Sequence, residues 1–187
     1  FPNEKIVYHM AMAILNDRTI KTADADYIKK IFDAFAGDFD STLSGLEYQV
    51  PEHIAKCVKE NFHKPFYKHI KYLDLGCGTG LCGKAVKSVI GWSHATGIDL
   101  SEKMLLEAKH KYIYDRLVMD EIVNFLQNED IKYHLITAGD VFTYFGDLQK
   151  LIKSISKSLI LISSTKISPS SRIILTLLRQ FKLQFFK

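Results

Sequence analysis

The stretch from Lys71 to Gly83, Lys-Tyr-Leu-Asp-Leu-Gly-Cys-Gly-Thr-Gly-Leu-Cys-Gly, constrains the fold of this chain more than any other. Tyr72, Leu73 and Leu75 form an apolar run suited to a buried strand, with one acid, Asp74, inside it. Three glycines follow at alternate positions, Gly76, Gly78 and Gly80, and then Leu81, Ala85, Val86 and Val89 recur at helical spacing. Strand, glycine turn and helix in that order make the first half of a βαβ unit. The glycines let backbone N–H groups approach a ligand, and the helix that follows turns its positive end toward any negative group there. A turn needed only for packing rarely carries three spaced glycines and an acid in the strand before it.

Two frames compete for this loop. Counted from Gly78, the residues to Gly83 satisfy the dinucleotide-binding pattern G-x-G-x-x-G. That pattern wants its first glycine directly after the strand, which is Gly76, and a third glycine where Leu81 stands. The dinucleotide frame therefore starts a step late. Counted from Asp74, the loop reads Asp-x-Gly-x-Gly-x-Gly, and Leu73 to Gly80 resembles motif I of class I S-adenosylmethionine (SAM)-dependent methyltransferases. SAM has no pyrophosphate, and its amino-acid end carries an ammonium and a carboxylate. The resemblance implies that Asp74 holds the ammonium and that the amides around Gly76, Cys77, Gly78 and Gly80 serve the carboxylate.

A second site supports this frame. Ala95 to Ile98 is a short apolar strand ending in Asp99, about twenty residues beyond the loop, where a carboxylate can accept both ribose hydroxyls of an adenosine. Leu100 follows it, Ser101 is an N-cap candidate, and Met104, Leu105 and Leu106 open a helix whose apolar side chains can cover the adenine. Leu117 to Ile122 reads as a third strand ending in acids. Asp120 and Glu121 are both candidates for the adenine amino group, and an ungapped match to the family pattern puts Glu121 at the acidic position; a surface acid is the competing reading. Ile131 to Val141 reads as a fourth strand, so Ala138 to Val141 face the site. Asp140 is either a base or a cap for the next helix. No Asp- or Asn-Pro-Pro-aromatic motif stands here, which argues against methylation of DNA adenine or protein glutamine.

The 187 residues, 47% hydrophobic, suit one globular unit with a real core. A net charge of +4 spread over 25 basic and 21 acidic residues is no nucleic-acid footprint. No run of eighteen apolar residues indicates a membrane span, and no leader pattern opens the chain. It begins at Phe1, as a fragment or trimmed chain would. Cys57, Cys77 and Cys82 form no Cys-x-x-Cys pair and the seven histidines are scattered, so a reducing, cytoplasmic setting and no metal are expected. Cys77 reads as a packing residue inside the loop.

Before the loop, helical spacing runs from Phe1 to about Thr22 and again over Tyr27, Ile28, Ile31, Phe32 and Phe35, with N-cap chemistry at Thr22 to Asp26. Gly37 ends or kinks this helix, and Pro51 opens another carrying Ile54, Ala55 and Val58. Residues 61–71 read as a solvated connection. After the fourth strand come a helix at Leu151 and Ile152, a fifth strand over Leu159 to Ile162, and a tail in which the usual final antiparallel pair is incomplete. A break in the backbone between Leu159 and Arg172 would explain that tail.

A longer pattern, Tyr27 to Ala36 through Phe39-Asp40, Leu46 to Pro51, Tyr112 to Leu117 and Phe142 to Leu148, resembles methyltransferases associated with tetratricopeptide repeats and, more distantly, those of quinone and biotin pathways. No repeat signature lies in this chain, so an array would precede Phe1. The resemblance implies a Rossmann-like α/β sheet flanked by helices (71–187) under an N-terminal helical lid (1–70), in which Tyr27, Phe35 and Phe39 either line the site or pack the core. It implies methyl transfer from SAM to a small molecule or, less directly, a protein, with no nucleic-acid or membrane partner. A SAM-binding regulatory module without turnover and a nicotinamide-dependent oxidoreductase are the alternatives. The acceptor is not legible, because it is recognised by variable loops.

Overall fold

The computed structural model describes residues 24–61, 69–146 and 148–160. Its strands are β1 (Lys71–Leu75), β2 (His94–Asp99), β3 (Arg116–Met119) and β4 (Leu135–Ala138). They form one parallel sheet in the order β3-β2-β1-β4. Parallel neighbours need crossovers, and helices supply them: α4 (Leu81–Lys87), α5 (Glu102–His110) and α6 (Ile122–Asn128). Ahead of the sheet lie α1 (Ala25–Phe35), a 3-10 turn (Ala36–Asp38), α2 (Phe39–Gly45) and α3 (Val50–Asn61); α7 (Leu148–Ser158) follows it. The chain works outward from β1 to β3 and returns on the other side of β1, so the order reverses between β1 and β4. Ligands of such sheets sit beyond the carboxyl ends of the strands at that reversal.

Strand side chains alternate between faces, and this sorts the core. Tyr72 packs with Ile54 and Val58 of α3 and Val86 of α4. Leu73 and Leu75 pack on the opposite face with Ile122 and Phe125 of α6 and Leu151 and Ile155 of α7. Leu73, Leu75 and Tyr72 are fully buried. Asp74 shares the face of Tyr72, and that parity decides its role below.

The helix boundaries follow capping chemistry. Asp24 Oδ1 accepts from Tyr27 N–H at 2.9 Å at the start of α1, and Ser101 Oγ accepts from Met104 N–H at 3.1 Å at the start of α5. Three boundaries differ from the sequence expectation. After the kink expected at Gly37, the 3-10 turn runs directly into a further helix, α2, that begins at Phe39. The third strand stops at Met119 instead of reaching Ile122, because the Glu121 carboxylate accepts from Val123 N–H (3.1 Å) and Asn124 N–H (2.8 Å) and starts α6 there. The fourth strand begins at Leu135, with Tyr133 forming an isolated parallel bridge to Leu159. Tyr133 N–H donates to Ser158 O and Ile160 N–H donates to Tyr133 O, both at 2.8 Å, so residues 158–160 run parallel beside Tyr133. The helix expected before Thr22, most of the 61–71 connection and the tail beyond Ile160 lie outside the described residues. Among those described, no helix is long and apolar enough to cross a membrane.

Candidate functional site

All three loop glycines adopt left-handed backbone, with φ +62° at Gly76, +53° at Gly78 and +90° at Gly80. L side chains rarely tolerate that region. Gly76 is also sterically closed, since an added Cβ would stand 1.8 Å from Val141 Cγ2. The turn is thus pressed against the segment leaving β4, and Ala138 lies beside Leu75 in the sheet register. Cys77 N–H donates to Ile98 O at 2.9 Å and ties the turn to β2. The Cys77 thiol is buried, and burial, with Asp99 and Asp74 nearby, pushes its pKa well up. It is a neutral packing group.

Asp99 closes on the same turn. Its Oδ2 accepts from Gly78 N–H and its Oδ1 from Ser101 N–H, both at 2.9 Å. Burial still raises its pKa, despite those two donors. Asp120 N–H donates to Asp99 O at 3.3 Å, which brings the end of β3 alongside, and half-buried Leu100 lies between. Gly76, Gly78, Asp99, Leu100, Asp120 and Ala138 therefore meet at one end of the sheet.

Asp74 carries an internal set of hydrogen bonds that its sequence position does not announce. Its carboxylate is fully buried beneath the turn: Tyr114 hydroxyl donates to Oδ2 at 2.6 Å and Thr137 Oγ1 to Oδ1 at 2.7 Å, while Gly83 N–H donates from α4. Thr137 is its register partner on β4, and Tyr72 hydroxyl reaches the same threonine at 2.7 Å. Two glycines make room for Tyr114: a Cβ at Gly83 would lie 2.3 Å from its hydroxyl, and one at Gly97 would lie 3.2 Å from its ring. Burial raises the Asp74 pKa, and the Tyr114 and Thr137 hydrogen bonds pull it back. Within the described structure Asp74 holds strand, helix and turn together.

Three further candidates, Met104, Asp120 and Glu121, are buried or engaged locally. Met104 is fully buried on α5, while Leu106 on the same helix is exposed. Glu121 spends both oxygens on the α6 cap, and Asp120 Oδ1 accepts from its neighbour's N–H at 2.7 Å and from Asn124 Nδ2 at 2.9 Å.

The segment before the sheet supplies groups that sequence spacing does not reveal. Asp40 accepts from Thr79 Oγ1 within the glycine turn, and Lys111 Nζ bonds both Asp40 Oδ2 and Thr79 O at 2.7 Å. Asp33 Oδ1 accepts from Ser101 Oγ at 2.6 Å. Burial opposes its ionisation, but bonds from Lys29 and Ser101 win and hold its pKa low. Phe39 stands 3.9 Å from the position of a Gly78 Cβ. It makes edge contacts with Phe35 and Phe32, and Phe32 makes one with Tyr144 (5.8 Å, 84°). Phe35 and Phe39 are among the residues expected to line the site or pack the core, and Asp40 and Tyr48 lie within the family-like pattern, whereas Lys111 carries no local signal.

Asp140 sits just beyond β4 with φ +53°. The 3-10 turn after it (Phe142–Tyr144) has no side-chain cap, so the helix-capping alternative is not what forms. Its carboxylate instead accepts from the Tyr48 hydroxyl; burial raises its pKa and that hydrogen bond lowers it.

Residues 73–160 match the family model of a methyltransferase domain. A SAM-dependent methyltransferase of Clostridium acetobutylicum superposes with a TM-score of 0.53 at 28% identity, covering 70% of this chain and 54% of that one. The fold is that of the class I methyltransferases. Magnesium protoporphyrin IX methyltransferase of Synechocystis, solved with bound SAM, superposes equally well (TM-score 0.53, 18% identity, 73% of this chain and 72% of that one). The malonyl-[acyl-carrier protein] O-methyltransferase of Priestia megaterium is 30% identical over 139 residues, 71% of this chain and 47% of the relative. The chain spans about half the length of most curated relatives it matches. The methyltransferase fold accounts for the placement of the glycine turn and Asp99 at the reversal point of the sheet. Among the described residues, no group of three or more His, Cys, Asp or Glu side chains is arranged to hold a metal.

Proposed function

We propose that the chain binds SAM across the carboxyl edge of the sheet and transfers its methyl group to a small-molecule acceptor. The observation that supports this is the direct bond from Gly78 N–H to Asp99 Oδ2, which sets a glycine turn beside a strand-end carboxylate. The turn of Gly76, Cys77, Gly78 and Gly80 would bring its side-chain-free backbone up to the amino-acid end, and Asp99, Leu100 and Ala138 would flank the ribose. Asp120, Glu121 and Met104 would frame the adenine, the acids through carboxylate lone pairs left over by their capping bonds. Asp74 would act from behind, fixing the turn. When bound, SAM supplies an electrophilic methyl on a sulfonium, which needs alignment with a nucleophile and exclusion of water more than strong acid–base catalysis. The helices carrying Phe32, Phe39 and Asp40 would provide that enclosure as a lid over a core from residue 71 onward.

The acceptor could be free or carried on a protein, as in the malonyl-[acyl-carrier protein] relatives. The resemblance to tetratricopeptide-associated methyltransferases supports delivery of partners by repeats upstream. Calorimetry with S-adenosylhomocysteine against NAD tests the cofactor. The nucleoside thioether should bind and NAD should not, and Asp99→Ala should weaken binding by about tenfold or more, as expected for hydrogen bonds to a charged group. Binding of NAD alone would refute the reading.

A further inference from the structure

Asp140 is a half-buried carboxylate that cofactor binding does not use. It is one residue from Val141, whose methyl abuts Gly76, and two from the end of β4. Its hydrogen-bond partner comes from the other side of the crevice. The turn after α2 is a Schellman motif: Tyr48 N–H donates to Leu43 O (3.1 Å) and Glu47 N–H to Ser44 O (3.2 Å), with Glu47 left-handed at φ +52°. That reversal sends the Tyr48 side chain to Asp140. Both ends of the pair thus rest on left-handed non-glycine residues, Glu47 and Asp140. Tyr144 lies where the charges of Asp140 and Asp99 both bear on its hydroxyl, and these carboxylates and burial together push its pKa up. Asp140 and Asp99 each stand at the carboxyl end of the sheet, beyond β4 and at the tip of β2. Edge contacts run from Tyr144 to Phe32 and on to Phe39, which reaches the glycine turn.

We propose that Asp140 is the proton acceptor of the transfer, positioned by Tyr48, and that the methyl acceptor is a flat, ring-bearing molecule presenting a hydroxyl or amine nucleophile, not a carboxylate. This rests on the methyl-transfer reading above. The lone pair of the acceptor oxygen or nitrogen forms the new bond to the methyl carbon. The carbon–sulfur pair returns to sulfur, leaving neutral S-adenosylhomocysteine, and the acceptor proton passes to Asp140. One positive and one negative charge are cancelled together, so the step balances without a further reactant. A carboxylate acceptor would bring a second negative charge beside Asp140, and like charges repel strongly in a partly desolvated site. The aromatic side chains suit a ring by edge and stacking contacts.

The test uses the full chain loaded with S-adenosylhomocysteine, titrated by NMR with phenol, aniline and benzoate as probes. Phenol and aniline should bind about tenfold or more tightly than benzoate at pH 8. Asp140→Asn, which keeps a residue tolerant of left-handed backbone, should abolish that preference while S-adenosylhomocysteine still binds. Tyr48 donates the bond that lowers the Asp140 pKa. Tyr48→Phe should therefore move the pH at which benzoate discrimination fades upward, a change that simple loosening of the lid would not produce. Among the described residues, Tyr48, Tyr144 and Cys82 feel the Asp140 charge, and each has a raised pKa that keeps it neutral at pH 8. Benzoate binding as well as phenol, no probe binding at all, or Asp140→Asn leaving the preference intact would each overturn the inference. Calorimetry on the same samples separates the two readings: failure to bind S-adenosylhomocysteine sinks both, and intact cofactor binding without discrimination sinks only this one.

Discussion

Replacing Tyr114 by Phe isolates the hydrogen bond that most relieves the buried Asp74 carboxylate. The ring keeps its place over Gly97, so packing is preserved and only the 2.6 Å bond to Oδ2 is lost. A hydrogen bond to a charged group contributes about 1.5–3 kcal/mol, and here the acceptor cannot recover water. The expected loss is about 2 kcal/mol near pH 8, or roughly 4–8 °C in Tm for a domain of this size. The pH dependence has a defined sign. Burial holds the Asp74 pKa above its ordinary value, so the folded protein binds the proton more tightly than the unfolded chain. Stability contributed by this group is therefore lost as pH rises from the unfolded carboxylate value through the raised folded one. Removing Tyr114 raises the folded pKa further, so on acidification the variant takes up its proton first and the gap to the wild type narrows. Urea denaturation of both proteins from pH 8 down to pH 5 measures this. A gap below about 0.5 kcal/mol at pH 8, or one that widens on acidification, would refute the argument.

Three further perturbations probe the turn and its lid. Gly76→Ala meets both a left-handed backbone and the Val141 methyl, so S-adenosylhomocysteine affinity should fall by about tenfold or more; adding Val141→Ala should restore part of the thermal stability, while the backbone cost of about 1–2 kcal/mol persists. Lys111→Met removes the tie between Asp40 and Thr79 O. Because Asp40 is partly exposed, stability should change by less than about 1 kcal/mol, but amide exchange in α1 and α2 should quicken, and unchanged exchange would dismiss the tie. Glu47→Gly should stabilise the fold by about 0.5 kcal/mol, since relief of left-handed strain slightly exceeds the extra entropy of glycine in the unfolded chain; a lower urea midpoint would count against it.

Much of this architecture was readable from local pattern. The Asp-x-Gly-x-Gly-x-Gly run demanded a strand, a left-handed turn and a helix, because only glycine occupies that backbone at three alternate positions without strain, and Asp99 announced itself at the tip of the next strand. Ser101 and Pro51 marked helix starts for reasons contained within one turn of chain. The partners of Asp74 were not readable in the same way. Strand alternation already put it on the face of Tyr72, but a carboxylate beside a glycine loop suggested a ligand more readily than a tyrosine forty residues away. What that acid meets inside the fold depended on Gly83 and Gly97 leaving a channel for Tyr114, and on Thr137 falling opposite it in register. The bonds from Asp40 to Thr79 and Lys111, and from Tyr48 to Asp140, likewise join residues far apart in the chain. Local sequence carries backbone preference and periodicity over a few residues. Which distant side chains share a buried charge is settled only when the sheet and its covering helices close around it.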